Sequence, residues 1–208
     1  MLTAAQTLAF LATAIVLTAT PGPDNLMVLS MGMSRGRRAG IAFGLGCALG
    51  CLSHTLLAVI GVSALVAASP VAFTLLKVAG GVYLVWMGVQ AWRHAGAVRV
   101  GGEAADTTPL RQLFLKGLVA NAINPKVVLF FLSFLPQFVV ASQGQVEWQL
   151  GLLGLLFTAQ AVVLFGLLGY FSGSVGAWLN RRPSAGLWLD RLAGTVFIGL
   201  GVRMMTSR

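Results

Sequence analysis

Charge is scarce in this sequence. Only 9% of its 208 residues are Asp, Glu, Lys or Arg, against about a quarter in a soluble domain, so water cannot be its main solvent. Acid is scarcer still, with 5 Asp and Glu against 14 Lys and Arg. The 2 cysteines, Cys47 and Cys51, stand one helical turn apart without a His or Cys companion set. That spacing suits small packing residues and excludes a disulfide framework, a Cys-x-x-Cys redox pair or a metal cage. No loop is rich in histidine, and no metal is expected. No phosphate-cradling glycine loop is present, and no cofactor is expected. Ser53 and His54 are adjacent, so on a helix they point different ways and make no nucleophile–base pair; enzyme activity is not expected. The longest polar stretch, about Ala95 to Pro109, is only loop-sized, leaving a single membrane domain over residues 1–208. The first residues, Met1 to Gln6, lack the basic start of a cleaved signal, so the first apolar run is read as a retained helix.

What the sequence has is apolar length. Hydrophobic residues make up 57% of it, and the mean hydropathy is +0.87. Runs over roughly 5–32, 40–67, 71–93, 111–140, 149–178 and 187–205 are each long enough to cross about 30 Å of hydrocarbon as a helix. The net charge of +9 could suggest nucleic acid. The basic residues instead form short clusters between the runs, without aromatic interleaving, and nucleic acid is not an expected partner. Arg35, Arg37 and Arg38 follow the first run; Arg93, Arg99, Arg111 and Lys116 flank the third connection; Arg181, Arg182 and Arg191 flank the fifth. The connections near Ser69-Pro70 and from Ala141 to Glu147 carry no Lys or Arg. The positive-inside rule then puts the basic connections in the cytoplasm and both termini outside, with Arg203 and Arg208 opposing but outnumbered. Trp92, Trp148, Trp178 and Trp188 fall at run ends, where indole rings prefer the bilayer interface.

The two halves resemble each other. Lys77 to Leu84 (Lys-Val-Ala-Gly-Gly-Val-Tyr-Leu) lies without a gap on Arg191 to Ile198 (Arg-Leu-Ala-Gly-Thr-Val-Phe-Ile). Pro23-Asp24 in the first run likewise lies on Pro125-Lys126 in the fourth. With three spans per half, the second copy enters the membrane upside down. The expected fold is therefore an all-α membrane protein of six transmembrane helices, built as two inverted three-helix repeats. Repeat one covers about 1–93, a cytoplasmic loop about 94–110, and repeat two about 111–208.

Helices one and four should be broken at mid-membrane. Thr20-Pro21-Gly22-Pro23-Asp24-Asn25 puts two prolines at i and i+2. Together they remove the donors that would reach the carbonyls of Leu17 and Ala19, and Gly22 permits a sharp local turn. Asn121-Ala-Ile-Asn124-Pro125-Lys126 frees the carbonyl of Asn121 in the same way. Lipid cannot satisfy freed backbone groups, so both breaks must face protein or a watery cavity. Matched interruptions are a sequence pointer to a transporter's binding site. Pro21, Gly22, Pro23, Asp24, Asn25, Asn121, Asn124, Pro125 and Lys126 are therefore the expected substrate-binding residues, joined by Gln160, which lies near the middle of run five. Asp24 and Lys126 are the charges most clearly within the membrane. They either pair directly or serve the two ends of a zwitterion, Asp24 taking the ammonium and Lys126 the carboxylate. Asp24, and His54 near the middle of run two, are the candidates for proton coupling.

At these residues the sequence resembles the LysE/RhtB family of amino-acid exporters. The matching features are Thr20 to Asp24, Arg35 to Gly40, Gly44 to Gly50, Lys77 to Gly88, and Asn121 to Lys126. They continue with Phe130-Phe131 and Leu135-Pro-Gln-Phe138, in order and over essentially the whole chain. The resemblance implies a bacterial inner-membrane protein that exports amino acids or derivatives, driven by protons rather than ATP. Its motifs carry over onto Pro21, Gly22, Pro23 and Asp24, and onto Asn124, Pro125 and Lys126; His54 and Gln160 rest on depth and symmetry instead. With one acid beside the breaks, a neutral zwitterion such as threonine, homoserine or leucine is favoured over a basic substrate. A divalent-metal or cation exporter is the alternative. The expected partners are the amino acid, protons and the lipid bilayer. Gly44, Gly46 and Gly50 could pack helices within one chain or between two copies.

Overall fold

A computed structural model describes residues 2–62, 69–93, 95 and 108–206. Most of the expected 94–110 loop, including Arg99, the end of the second run and Arg208 lie outside the described residues. Helices α1 (Ala4–Ala19), α2 (Pro23–Arg35), α3 (Arg37–Leu57) and α4 (Pro70–Arg93) come first; α5 (Leu110–Ala122), α6 (Pro125–Leu129), α7 (Val146–Arg181) and α8 (Pro183–Thr206) follow. A π-helical turn, Ala58–Val62, ends α3, and another, Phe130–Phe134, follows α6 and runs into a 3-10 turn, Leu135–Phe138. No strand occurs among the described residues. Among the described residues, four helices are long and apolar enough to cross a membrane singly, and the spans number up to six if each of two bent pairs counts as one. The bent pairs are α1 with α2, at 54°, and α5 with residues 125–138, at 50°. The fifth run is one helix of 36 residues, longer at both ends than its hydropathy alone marked out.

Helix α3 is the axis of the bundle, packed between α5 and α7. Its small residues make this approach possible. A methyl group built on Gly46 would fall 2.0 Å from the Phe114 carbonyl oxygen, and one on Gly117 of α5 would fall 2.1 Å from that of Phe43. Without a hydrophobic force between helices in lipid, such backbone proximity supplies the dispersion contacts that hold them together. The glycine stripe of α3 thus serves packing within one chain. A second pair, α4 against α8, lies to one side and meets the rest largely through the Phe130–Phe134 turn.

Arg35, Arg37, Arg93, Arg111 and Arg181 stand at helix ends joined by alternate connections. Arg37 stacks over Tyr170 of α7, at 5.3 Å, and Arg191 over Trp92 at the end of α4, at 5.4 Å. Other helix ends are tied by uncharged groups. Thr3 and Gln6 cap α1 reciprocally, as their spacing dictates. The Gln6 amide then donates to the Phe138 carbonyl and, at 3.1 Å, to Gln149 Oε1. Gln149, buried, also accepts from Val140 N and donates to the Val140 and Gly144 carbonyls. Beneath this tie sits an aromatic core of Phe10, Phe130, Phe131 and Phe134. Large apolar side chains such as Leu8, Leu56, Val71, Leu155 and Val163 stand exposed on the outer surface, as lipid contact requires.

Candidate functional site

The first elbow forms where the two prolines stop the hydrogen-bond ladder. α1 ends at Ala19, with Thr20 N still reaching Val16 O at 2.9 Å, and α2 restarts at Pro23. Two of the main-chain carbonyls left at the elbow acquire side-chain donors. Asn25 Nδ2 donates to Thr18 O at 2.8 Å, and Lys126 Nζ donates to Thr20 O at 3.0 Å. Gly22 is extended, at φ −167°, a conformation open to any residue. Its role is therefore room rather than turning freedom: a methyl group there would lie 3.1 Å from Lys126 Nζ. The Lys126 ammonium completes its surroundings over the Phe197 ring of α8, at 5.3 Å.

The second elbow draws on its own residues and on α3. Asn124 caps α6 with its side chain accepting from Lys126 N at 3.1 Å, and Pro125 occupies the first helical position. The Asn121 carbonyl freed by Pro125 accepts from Asn124 N at 2.9 Å and lies 3.0 Å from His54 Nε2. A carbonyl only accepts, so Nε2 carries the hydrogen. The Asn121 side chain works in another direction, donating from Nδ2 to Asp24 Oδ2 at 2.7 Å, while its Oδ1 lies 3.6 Å from Cys51 Sγ. Gly50 makes space for it, since a methyl group there would fall 2.8 Å from the Asn121 Cβ.

Asp24, His54, Asn121, Asn124 and Lys126 are all buried, Asp24 and Lys126 at 4% exposure. The fold therefore brings Asp24, Asn121 and His54 into one buried network and sets Lys126 between the elbow and α8. No ion pair joins Asp24 to Lys126 among the described residues; each charge has its own neutral partner. Asp24 also lies in the first turn of α2, where the helix dipole favours a carboxylate. His54 and Asp24 both contact Asn121, one at its main-chain carbonyl and the other at its side-chain amide.

Beside the first elbow lies a cavity of about 260 Å³, lined by Thr18, Ala19 and Asn25 on one side and by α7 on the other. Of the residues picked out from sequence, Asn25 lines it directly. Gln160 is not among its lining residues but bonds one of them, donating from Nε2 to Thr18 Oγ1 at 2.9 Å and to Phe157 O at 2.9 Å. Asp24, Asn121, Asn124, Pro125 and Lys126 are not among its lining residues. Sequence reading missed Thr18, which contributes a carbonyl to Asn25 and a hydroxyl to Gln160. Its position three residues before Pro21 was the available signal. It also missed the cavity face of α7, including Leu164, Phe165, Leu168, Phe171 and Val175, whose apolar character looked like any lipid-facing stretch.

An all-helical bundle with two spans bent at buried proline elbows, charges held inside and a cavity at one elbow has the architecture of a membrane transporter. The sequence model of the LysE type translocators matches residues 15–208, and the chain belongs to that family. It is 30% identical over 202 residues to the homoserine/homoserine lactone efflux protein of Salmonella typhimurium, covering 96% of each chain. It is 29% identical over 203 residues to the threonine efflux protein of Escherichia coli K12, covering 93% of this chain and 94% of that one. With the leucine efflux protein of Klebsiella pneumoniae the identity is 26% over 199 residues, covering 96% and 94%. No solved structure matches the chain.

Proposed function

We propose that this protein exports neutral amino acids or close derivatives from the bacterial cytoplasm across the inner membrane, by alternating access coupled to inward proton movement. The observation that carries the proposal is the first elbow, a proline-broken span whose freed backbone opens on a cavity large enough for a small metabolite. Efflux of homoserine, leucine and threonine by relatives of similar length supports the substrate class. In this reading the basic end of the bundle faces the cytoplasm and both termini face outward. The cavity extends along α7 from the elbow toward that basic end, as an entry route from the cytoplasm would. The whole chain acts as one transporter domain of two inverted repeats. Pro21, Gly22, Pro23, Asp24, Asn25, Asn121, Asn124, Pro125, Lys126 and Gln160 form or support the substrate site, and Asp24 and His54 are the proton-coupling candidates. Asp24 and Lys126 take up substrate charge only when the elbows move, because each is otherwise engaged by Asn121 and Thr20. The cation-exporter alternative is not favoured: among the described residues no three His, Cys, Asp or Glu side chains cluster to hold a metal.

The test is uptake into inside-out proteoliposomes of purified protein, with labelled amino acids and divalent metals, with and without an imposed pH gradient. Gradient-driven accumulation of neutral amino acids, lost in Asp24→Asn and Lys126→Gln, is the expected result. Accumulation of metals alone overturns the proposal, and accumulation without any dependence on the gradient removes proton coupling from it.

A further inference from the structure

The outlying α4–α8 pair carries a charged aromatic cluster that the proposed transport does not use. Gly194 lets the Trp92 indole lie close against α8, since a methyl group there would fall 2.3 Å from Trp92 Cδ1. Trp92 Nε1 then donates to Thr195 Oγ1 at 3.3 Å, which fixes the ring. Arg191 spreads its guanidinium over Trp92, at 5.4 Å, and over Trp188, one turn earlier on α8, at 5.9 Å. The rings cover the cation without balancing its charge. Its Nε is enclosed without a hydrogen-bond partner, and no ion pair or hydrogen bond reaches the guanidinium among the described residues. Asp190, adjacent in the chain, points to another side of the helix. The cluster stands where the spans end, beside Arg93 at the close of Val71–Arg93 and two turns into Ser184–Thr206. Around it the surface is apolar and open: Trp92, Trp188 and Leu192 are 48%, 67% and 61% exposed. A charge at the edge of hydrocarbon, lacking an anion of its own chain, is best met by one from the bilayer.

We propose that Arg191, Trp92 and Trp188 hold the headgroup of an anionic phospholipid of the phosphatidylglycerol kind. The terminal nitrogens of the guanidinium take the phosphate, which a planar fork matches better than a point charge does. The exposed indoles lie at the glycerol level, and apolar side chains such as Leu192 take the acyl chains. A zwitterionic lipid brings its own cation, which Arg93 repels, so the site favours net negative headgroups. Helix α8 also carries Phe197 over the Lys126 ammonium, so a lipid that steadies α8 bears on the first elbow. On the orientation taken above the headgroup belongs to the cytoplasmic leaflet, but the site itself depends neither on that orientation nor on transport.

The experiment titrates the delipidated full chain in detergent with phosphatidylglycerol or phosphatidylcholine and counts retained lipid by mass spectrometry. Phosphatidylglycerol should be held at least about fivefold more tightly. Arg191→Gln should bring the two lipids to within about twofold of each other. Trp188→Leu keeps the charge and removes one exposed ring. It should weaken phosphatidylglycerol by at least about twofold, which keeps the test open should Arg191→Gln fail to fold. Arg182→Gln, an exposed charge outside the cluster, should change neither lipid. An undiminished preference in the cluster variants overturns the inference. So does an equal loss in Arg182→Gln, which would make the attraction general to the basic helix ends. Displacement of the lipid by millimolar inorganic phosphate would assign the cluster to a free anion and overturn the lipid. Amino-acid transport in proteoliposomes runs in parallel. Lipid selectivity without transport overturns the transport reading and leaves the site; transport without lipid selectivity overturns the site and leaves transport.

Discussion

The two elbows start from the same chemistry and end differently. Each is a proline interruption of an apolar span, bent by 54° in one case and 50° in the other. At the first, two prolines leave a gap between α1 and α2 and put several carbonyls out of helical use. Side-chain donors, Asn25 from the first turn of α2 and Lys126 from the other elbow, meet two of these, and Thr18, Ala19 and Asn25 line a cavity. At the second, a single proline sits in the ordinary first position of a helix, Asn124 caps it, and the freed Asn121 carbonyl is met by Asn124 N and His54. Each elbow thus has one donor close in the chain and one distant, Lys126 at the first and His54 at the second; they differ in the number of prolines and in the cavity beside the first. In the proposed reading the first elbow accepts the ligand and the second anchors Asp24 and Lys126.

The contrast can be broken by substitution. The largest effect is expected for Asn121→Leu, which strips the buried Asp24 carboxylate of its donor. Loss of about 3 kcal/mol in unfolding free energy, measured by denaturant titration in micelles, should accompany loss of transport. Gly50→Ala comes next. Its methyl would lie 2.9 Å from the Leu118 carbonyl as well as close to Asn121, and about 1–3 kcal/mol of overpacking should appear in the same titration. Asn124→Ala should cost about 1 kcal/mol through loss of the cap, and Asn124→Ser should restore stability and transport together. If serine restores stability but not transport, Asn124 touches the substrate and the second elbow is no mere anchor. Gly22→Ala should have the smallest effect on stability, under about 1 kcal/mol, because its backbone suits alanine and a lysine side chain can yield by a few tenths of an ångström. It should still slow transport several-fold in the proteoliposome assay, by about the displacement cost of a charged group held in place. Equal stability losses for Gly22→Ala and Gly50→Ala would show that the elbows are equally rigid.

Much of the fold was legible because its causes are local. Apolar run length marks spans, and proline marks breaks whatever surrounds it. The freed Asn121 carbonyl could be named in advance, but not its partner: His54 is 67 positions away and reaches it only because α3 and α5 pack closely through glycine. The role of Gly22 was misjudged for a related reason. Glycine suggests a turn by itself, and only the placement of Lys126 reveals that the missing side chain is what counts. Gln160 could be chosen for its depth, while Thr18 and the apolar wall of α7 could not be separated from ordinary helix surface.

By itself, then, the sequence determined an all-helical membrane chain with two interrupted spans, basic residues at alternate connections and buried ionisable groups. These follow from hydropathy, backbone chemistry and the cost of charge in hydrocarbon. Tertiary structure alone decided which freed carbonyl met which donor, that Asp24 and Lys126 take separate partners, and that the first elbow opens on a cavity. Those outcomes depend on distances between helices far apart in the chain, set by where small residues let backbones meet.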